Sequence, residues 1–362
     1  MKKRNLLRTS GILVLVVIMV MMTACLGSGN KDAADGGGAS EGETVVLQLT
    51  MHDPETSRVG KGMQAWADEV KEKSGGSLEI KVNGSGSLAS GPDALDYVKK
   101  GSADIGWVYT MFNPGQFTLA EVVAIPMTGF VHPVQTANTL WDLQEEFPEL
   151  KAELNNGMKL LECYGNPANF LSTVDKPITS LADIKGMPLR APAGGISDVL
   201  ALWGANPMAV PAGEVADALQ KGTVTGASWE WQGIEAFKLY EHLKYYMDSM
   251  TIYDGVFVVV MNQDKYDSLS DDQKKVIDET TGREGSIAFG QLFHDAANDS
   301  KEVVLGAGGE QVEVPAAAVA EFQKIADEYA AGWADRVSAD KGIDGKAFLA
   351  RAVELGKKHE VK

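Results

Sequence analysis

From residue 44 onward, short apolar runs alternate with stripes of helical period. Thr44 to Thr50 is a compact apolar run suited to a buried strand, and Val59, Met63, Trp66, Ala67 and Val70 fall on one face of a following helix. Gly75-Gly76 closes that helix, and Leu78, Ile80 and Val82 then alternate as a strand. Pro92 to Lys100 reads as a helix with Gly101 past its end, and Ala103 to Tyr109 as the next strand. This β-α-β-α order predicts an α/β fold. The grammar returns with a helical turn at Leu181 to Lys185, a strand at Met187 to Ala191, a helix at Ile196 to Trp203 and a strand at Met208 to Val210. A helix at Glu214 to Gln220 and a strand at Thr223 to Ala227 complete that unit. In both units a helix ends in Lys-Gly, at Lys100-Gly101 and Lys221-Gly222, and a Trp (Trp107, Trp229) lies near the carboxyl end of the next strand, where open α/β sheets bind ligands. Chance recurrence of a common motif would look the same, but the repetition predicts two facing domains. Val256 to Met261 is a further β-prone run, and helical composition dominates after Asp264, opened by a capping-box pattern at Ser270-Asp271-Asp272-Gln273.

The amino-terminal region breaks this pattern. Lys2, Lys3, Arg4 and Arg8 precede an apolar run, Ile12 to Met22, that is too short to span a bilayer. Met22-Thr23-Ala24-Cys25 resembles a bacterial lipobox, with Met22 where a branched residue is usual; this implies a signal peptide over 1–24 and a lipid on Cys25. Residues 26–43 are Gly, Ser, Ala, Asp and Glu with few apolar side chains, the composition of a flexible tether. The expected location is therefore extracytoplasmic, lipid-anchored to the cell membrane. With Cys25 lipidated only Cys163 is left, so no intramolecular disulfide is expected. Loss of residues 1–24 removes four positive charges and no negative ones, taking the formal charge from −17 to −21. So acidic a body argues against nucleic acid and anionic lipid as partners, and an anionic ligand would need a local cation.

Gly186-Met187-Pro188-Leu189-Arg190-Ala191-Pro192 and the stretch Gly204-Ala205-Asn206-Pro207 through Pro211, Glu214-Val215 and Ala218-Leu219-Gln220-Lys221-Gly222 resemble the signature of the solute-binding subunits of TRAP (tripartite ATP-independent periplasmic) transporters, the DctP family. The resemblance extends through Lys244-Tyr245-Tyr246 and Val258 to Asn262, and back to Gly101 to Trp107; Thr225 departs from it, standing where the family usually has Asp. It implies an α/β, two-domain, periplasmic-binding-protein-like clam-shell with interdomain crossings near Asn166 and Tyr253 and a long bracing helix. The implied domains are 44–167 with 256–295 and 168–255 with 296–362. The implied function is reception of a small organic acid in the interdomain cleft and its delivery to TRAP membrane permease subunits. No cofactor is implied.

The resemblance makes Arg190 the partner of the ligand carboxylate, a role its planar, permanently charged fork suits; by residue type alone an exposed Arg in a turn is the ordinary reading. Trp229 and Trp231 offer flat apolar walls for the body of the ligand or else pack in the core, and favour an apolar acid over a sugar acid. Trp107, Tyr109, Phe112 and Asn113 are candidates for the opposite wall, with His52 as a donor to a ligand oxygen and Asn169 and Phe170 beyond the first crossing. Glu230 raises the question of a bound cation, but one carboxylate is a thin ligand set, and no metal is expected. A receptor serving a sensor kinase or an ABC importer would share this sequence pattern. A secreted hydrolase is a further alternative, but the chain has no G-x-S-x-G or H-E-x-x-H motif and its five histidines lack metal-ligand spacing.

Overall fold

Two sheets are built from eleven strands in the computed structural model, which describes residues 44–192, 194–252 and 255–361. The strands are β1 (Val45–Thr50), β2 (Leu78–Asn83), β3 (Ile105–Tyr109), β4 (Lys159–Gly165), β5 (Phe170–Thr173), β6 (Pro188–Arg190), β7 (Asn206–Met208), β8 (Gly226–Trp229), β9 (Tyr245–Tyr246), β10 (Val256–Met261) and β11 (Glu310–Gln311). The first sheet runs β2-β1-β3-β10-β4 and the second β11-β9-β5-β8-β6-β7. The expected signal peptide, the lipid on Cys25, the tether and the crossing at Tyr253 lie outside the described residues.

Local chemistry explains most of the elements. The helix Arg58–Lys73 is N-capped by Ser57, whose hydroxyl accepts from the Gly60 N–H at 2.9 Å, and it buries Val59, Met63, Trp66, Ala67 and Val70. It ends into Gly75 and Gly76, both at positive φ. The capping box at Ser270 forms as its pattern predicts, and Gly101 and Gly222 take the left-handed conformation after their helices. One strand shifts: the run expected at Met208 to Val210 pairs at Asn206–Met208, along the sheet edge, where Pro207 needs no ladder partner for its nitrogen. Antiparallel to both neighbours, β10 is buried on both faces. Val256, Val258 and Val260 enter one apolar cluster, while Phe257, Val259 and Met261 enter another with Trp107 and Tyr109.

The chain passes from the first sheet to the second between β4 and β5 and returns between β9 and β10. Helix Gly282–Gly306, about 37 Å long at 1.5 Å per residue, touches β4 and helix Pro133–Glu146 beside the first sheet and helix Trp231–Ala236 beside the second. Ser286 anchors it. Its hydroxyl accepts from Trp141 Nε1 and from the Cys163 N–H, each at 3.0 Å, and donates to the Gly282 carbonyl at 2.7 Å. The carboxyl-terminal helix Gly345–Lys358 touches both helix Ala316–Lys341 and helix Pro133–Glu146, and it packs Phe348, Ala352 and Leu355 into one apolar cluster with Trp333, Val337, Leu140, Leu143 and Phe130.

Replacing Ser286 by Ala would strand two donors inside the protein. Ser286→Ala should cost about 1–3 kcal/mol, read as a lower urea midpoint with unchanged m-value.

Candidate functional site

The carboxyl ends of β1, β3, β6 and β8 converge on one cavity, and each brings a side chain that its strand or the following turn holds in place. About 380 Å³ of atom-free space lies there, part of it open to solvent. The first sheet lends an aromatic wall. Trp107 stacks on His52 (centroids 4.7 Å apart, planes 19°) and on Phe257 (4.2 Å, 8°), and Phe112 meets His52 edge-on at 5.3 Å. Strand period sets this: Trp107 and Tyr109 share a face of β3, and in the β3–β10 register Phe257 lies opposite Tyr109. Trp107 Nε1 donates to the Tyr164 hydroxyl at 2.7 Å, which fixes the indole's tilt.

Arg190, the last residue of β6, faces this wall from the second sheet and is only 3% exposed. Its Nε donates to the Val210 carbonyl at 3.2 Å, a guanidinium N–H reaches the Ser228 carbonyl at 3.4 Å, and its Cζ lies 3.8 Å from the centroid of the Trp229 ring. The stack adds a cation–π attraction inside a desolvated site. Gly233 makes it possible: a Cβ there would collide with the Trp229 indole.

Glu230 caps the helix Trp231–Ala236, accepting from the backbone N–H groups of Gln232 and Gly233. Burial pushes its pKa up to about 8; the charge of Asp53 adds to this, and the two backbone hydrogen bonds oppose it. Asp53 rises to about 7 through burial, opposed by Gln232, whose amide donates to it at 3.2 Å. His52 falls to about 3, through burial first and the Arg190 charge second, so its imidazole is neutral at pH 7. Its Nδ1 is buried with no hydrogen-bond partner among the described residues. The cavity thus holds a fixed cation beside groups whose own charge is suppressed, an arrangement that suits a monoanion.

The cavity brings together His52, Trp107, Tyr109, Phe112, Asn169, Arg190, Trp229 and Glu230. It does not include Trp231, Phe170 or Asn113. Glu230 turns the chain from strand into helix, so Trp231 leaves the face of Trp229 and packs between Phe170 (4.7 Å) and Tyr246 (4.9 Å) in the second-sheet core. Asn113 closes the turn Thr110–Phe112, donating its N–H to Thr110 at 2.9 Å. As for the cation question, the Glu230 carboxylate is occupied as a cap, and no group of three or more His, Cys, Asp or Glu among the described residues could hold a metal. Asp53, Asn166, Gln232, Phe257 and Phe293 line the cavity unforeseen. Only Asp53 carried a local signal, its place beside His52 after the first strand.

Two α/β sheets joined by crossing segments, with a cavity where strand ends from both meet, define a two-lobed solute receptor. The chain belongs to the bacterial extracellular solute-binding protein family 7, DctP, whose profile matches residues 49–335, and it is a solute-binding subunit of the TRAP type. It is similar to a TRAP solute-binding protein of an unidentified marine-metagenome microbe, specific for aromatic acid ligands and solved with metahydroxyphenylacetate (28% identity, TM-score 0.82, covering 88% of this chain and 100% of that one). A TRAP solute-binding protein of Rhodoferax ferrireducens with copurified benzoate is 26% identical at TM-score 0.82 (87% and 98%). One from Bordetella bronchiseptica with bound (R)- and (S)-mandelate is 25% identical at TM-score 0.80 (87% and 100%). No helix among the described residues is long and apolar enough to cross a membrane.

The raised carboxyl groups have a consequence for stability. In the unfolded chain Asp53 and Glu230 ionise near pH 4, but in the folded protein they hold their protons to about 7 and 8. These two groups therefore bind more protons in the folded state across that window, and stability should fall as pH rises through its upper part, above about 6.5, where the depressed His52 no longer opposes them. Thermal melts from pH 4.5 to 8.5 should show the decline in the native chain and a flatter profile in Glu230→Gln.

Proposed function

We propose that this receptor takes a compact, largely apolar monocarboxylate, an aromatic acid above all, performs no chemistry on it and hands it to a TRAP permease. Arg190 would pair with the carboxylate, Trp229 backing the guanidinium. The ring of the acid would lie along His52, Trp107, Tyr109 and Phe112, with Asn169 and Asp53 available to a ligand hydroxyl or keto oxygen and Glu230 held in its cap beside them. The observation that carries this reading is the guanidinium stacked on Trp229 and facing the His52–Trp107–Phe257 stack across one cavity. A carboxylate satisfies the fork and a ring satisfies the wall. Three relatives solved with metahydroxyphenylacetate, benzoate and mandelate support the same ligand class.

Binding would begin on one open lobe and end with closure about the segments between β4 and β5 and between β9 and β10, burying the acid between the two. Cys25 would carry the lipid that keeps the receptor at the membrane, and in that case Cys25→Ser should move it from the membrane fraction to the soluble one in cell fractionation.

Calorimetry of the full chain against benzoate, mandelate, hydroxyphenylacetates, keto acids and dicarboxylates tests the assignment. The aromatic monocarboxylates should bind best. Arg190→Ala should weaken them by about 2–5 kcal/mol, and Arg190→Lys should also weaken them because a point charge does not reproduce the fork. Undiminished affinity in a folded Arg190→Ala protein would overturn the carboxylate assignment.

A further inference from the structure

A second compartment adjoins the ligand cavity and shares two walls with it, His52 and Phe112. It holds about 1160 Å³ of atom-free space, part of it open to solvent, against about 380 Å³ inside. Residues from both lobes line it: Gly91 and Pro92 from the first, Pro211, Ala212 and Phe237 from the second. The lining is mostly apolar. Its one acidic group is Glu214, and no Lys or Arg among the described residues lines it.

His52 and Phe112 form the shared wall. Phe112 is only half-buried, meets His52 edge-on and ends the short turn Thr110–Phe112. Behind it lies Gly91, where a Cβ would come within 2.7 Å of the Phe112 ring and 3.4 Å of the His52 Cβ. The absent side chain at Gly91 is what lets backbone lie against the Phe112 ring and the His52 Cβ. Phe112, edge-on to His52 and Tyr109, is thus the side chain whose displacement would join the two spaces.

We propose that the receptor's substrates include aryl monocarboxylates carrying an uncharged, mostly apolar extension on the ring. The carboxylate stays at Arg190, the ring lies along the aromatic wall, and the extension passes Phe112 into the outer compartment. This rests on the aromatic-acid reading above and deepens it. The chemistry of the compartment excludes a second carboxylate at the far end: nothing cationic lines it, Glu214 repels it, and the chain as a whole carries −17.

The test is a homologous series, benzoate with ethyl or butyl chains at the 3- or 4-position, titrated calorimetrically into the full chain. In at least one series affinity should rise about threefold to fourfold per methylene that enters the compartment. A chain of the same length ending in carboxylate should lose that gain. Gly213 lines the outer compartment and not the inner cavity, and a Cβ built there meets nothing within 4 Å, so the side chain of Gly213→Phe starts in open space and adds bulk to that compartment. It should leave benzoate affinity unchanged and abolish the butyl gain. The proposal is overturned if benzoate binds but affinity is flat or falls along both series. It is also overturned if Gly213→Phe leaves the gain intact or weakens benzoate and butylbenzoate alike, or if the carboxylate-ended chain gains as much as the alkyl one. If benzoate itself does not bind, the aromatic-acid reading fails first and this one with it.

Discussion

A guanidinium that is 3% exposed between two lobes constrains everything around it. Burying a charge costs several kcal/mol unless its surroundings compensate, and here two backbone carbonyls and an indole face provide part of that compensation. Burial acts on the neighbouring acids as well. Asp53 and Glu230 sit so deep that desolvation holds them protonated to about 7 and 8, and Glu230 spends both oxygens on capping a helix. His52 is held neutral by the same burial and by Arg190 itself. Burial thus weakens the negative charge of the acids nearest the cation, which suits the cavity to an anion within a strongly acidic protein.

The two sides of the interlobe region differ in kind. Around the crossings one apolar cluster runs continuously through Val256 and Val258 of the first sheet, Leu171 and Leu189 of the second, and Met250 and Ile252 between them. On the cleft side the lobes meet through polar groups: Gln232 on Asp53, and Arg58 of the first lobe on Glu235 of the second at 3.1 Å and on Asp299 of the long helix at 3.0 Å. Apolar burial is expensive to undo, while half-exposed ion pairs exchange readily for water. That asymmetry favours rotation about the crossings with the hinge core intact. The long helix, held at Ser286 beside the first sheet and touching helix Trp231–Ala236 beside the second, restricts how far such a rotation goes.

Features with a local cause were legible in the sequence. Periodicity gave the helix Arg58–Lys73 and its buried face, the Lys-Gly ends gave Gly101 and Gly222, and the capping box gave the start at Ser270. Trp229 stood out because it lies near the carboxyl end of a strand in a repeated unit, where an α/β sheet faces its ligand, whereas Arg190 was marked by the resemblance of its G-x-x-x-R-x-P turn to the family signature. What escaped was set by distant partners. Phe293 reaches the cavity from the middle of a 25-residue helix, and Phe257 looks like any buried strand residue until its register against β3 is known. Of the two readings open for Trp231, cavity wall or core, the structure shows core packing, because the Glu230 cap turns the chain into a helix and carries the ring off the face of Trp229.

The two walls of the cavity also divide the work of recognition. In the proposed reading, a charge-assisted pair at Arg190 would supply affinity for any carboxylate and discriminate little among them. Discrimination falls to the opposite wall, where three flat rings, His52, Trp107 and Phe257, lie nearly parallel and admit a planar body more readily than a hydroxylated aliphatic one. A sugar acid would place hydroxyls against ring faces that cannot accept or donate in kind, leaving them unpaired at a cost of about 1–3 kcal/mol each. The few polar atoms on that side, the buried Nδ1 of His52 and the carboxyl of Asp53, are enough to orient one oxygen substituent and too few to satisfy several. In the proposed reading, aromatic packing within the first sheet, fixed by strand register rather than by any binding motif, is therefore what would make a carboxylate receptor selective.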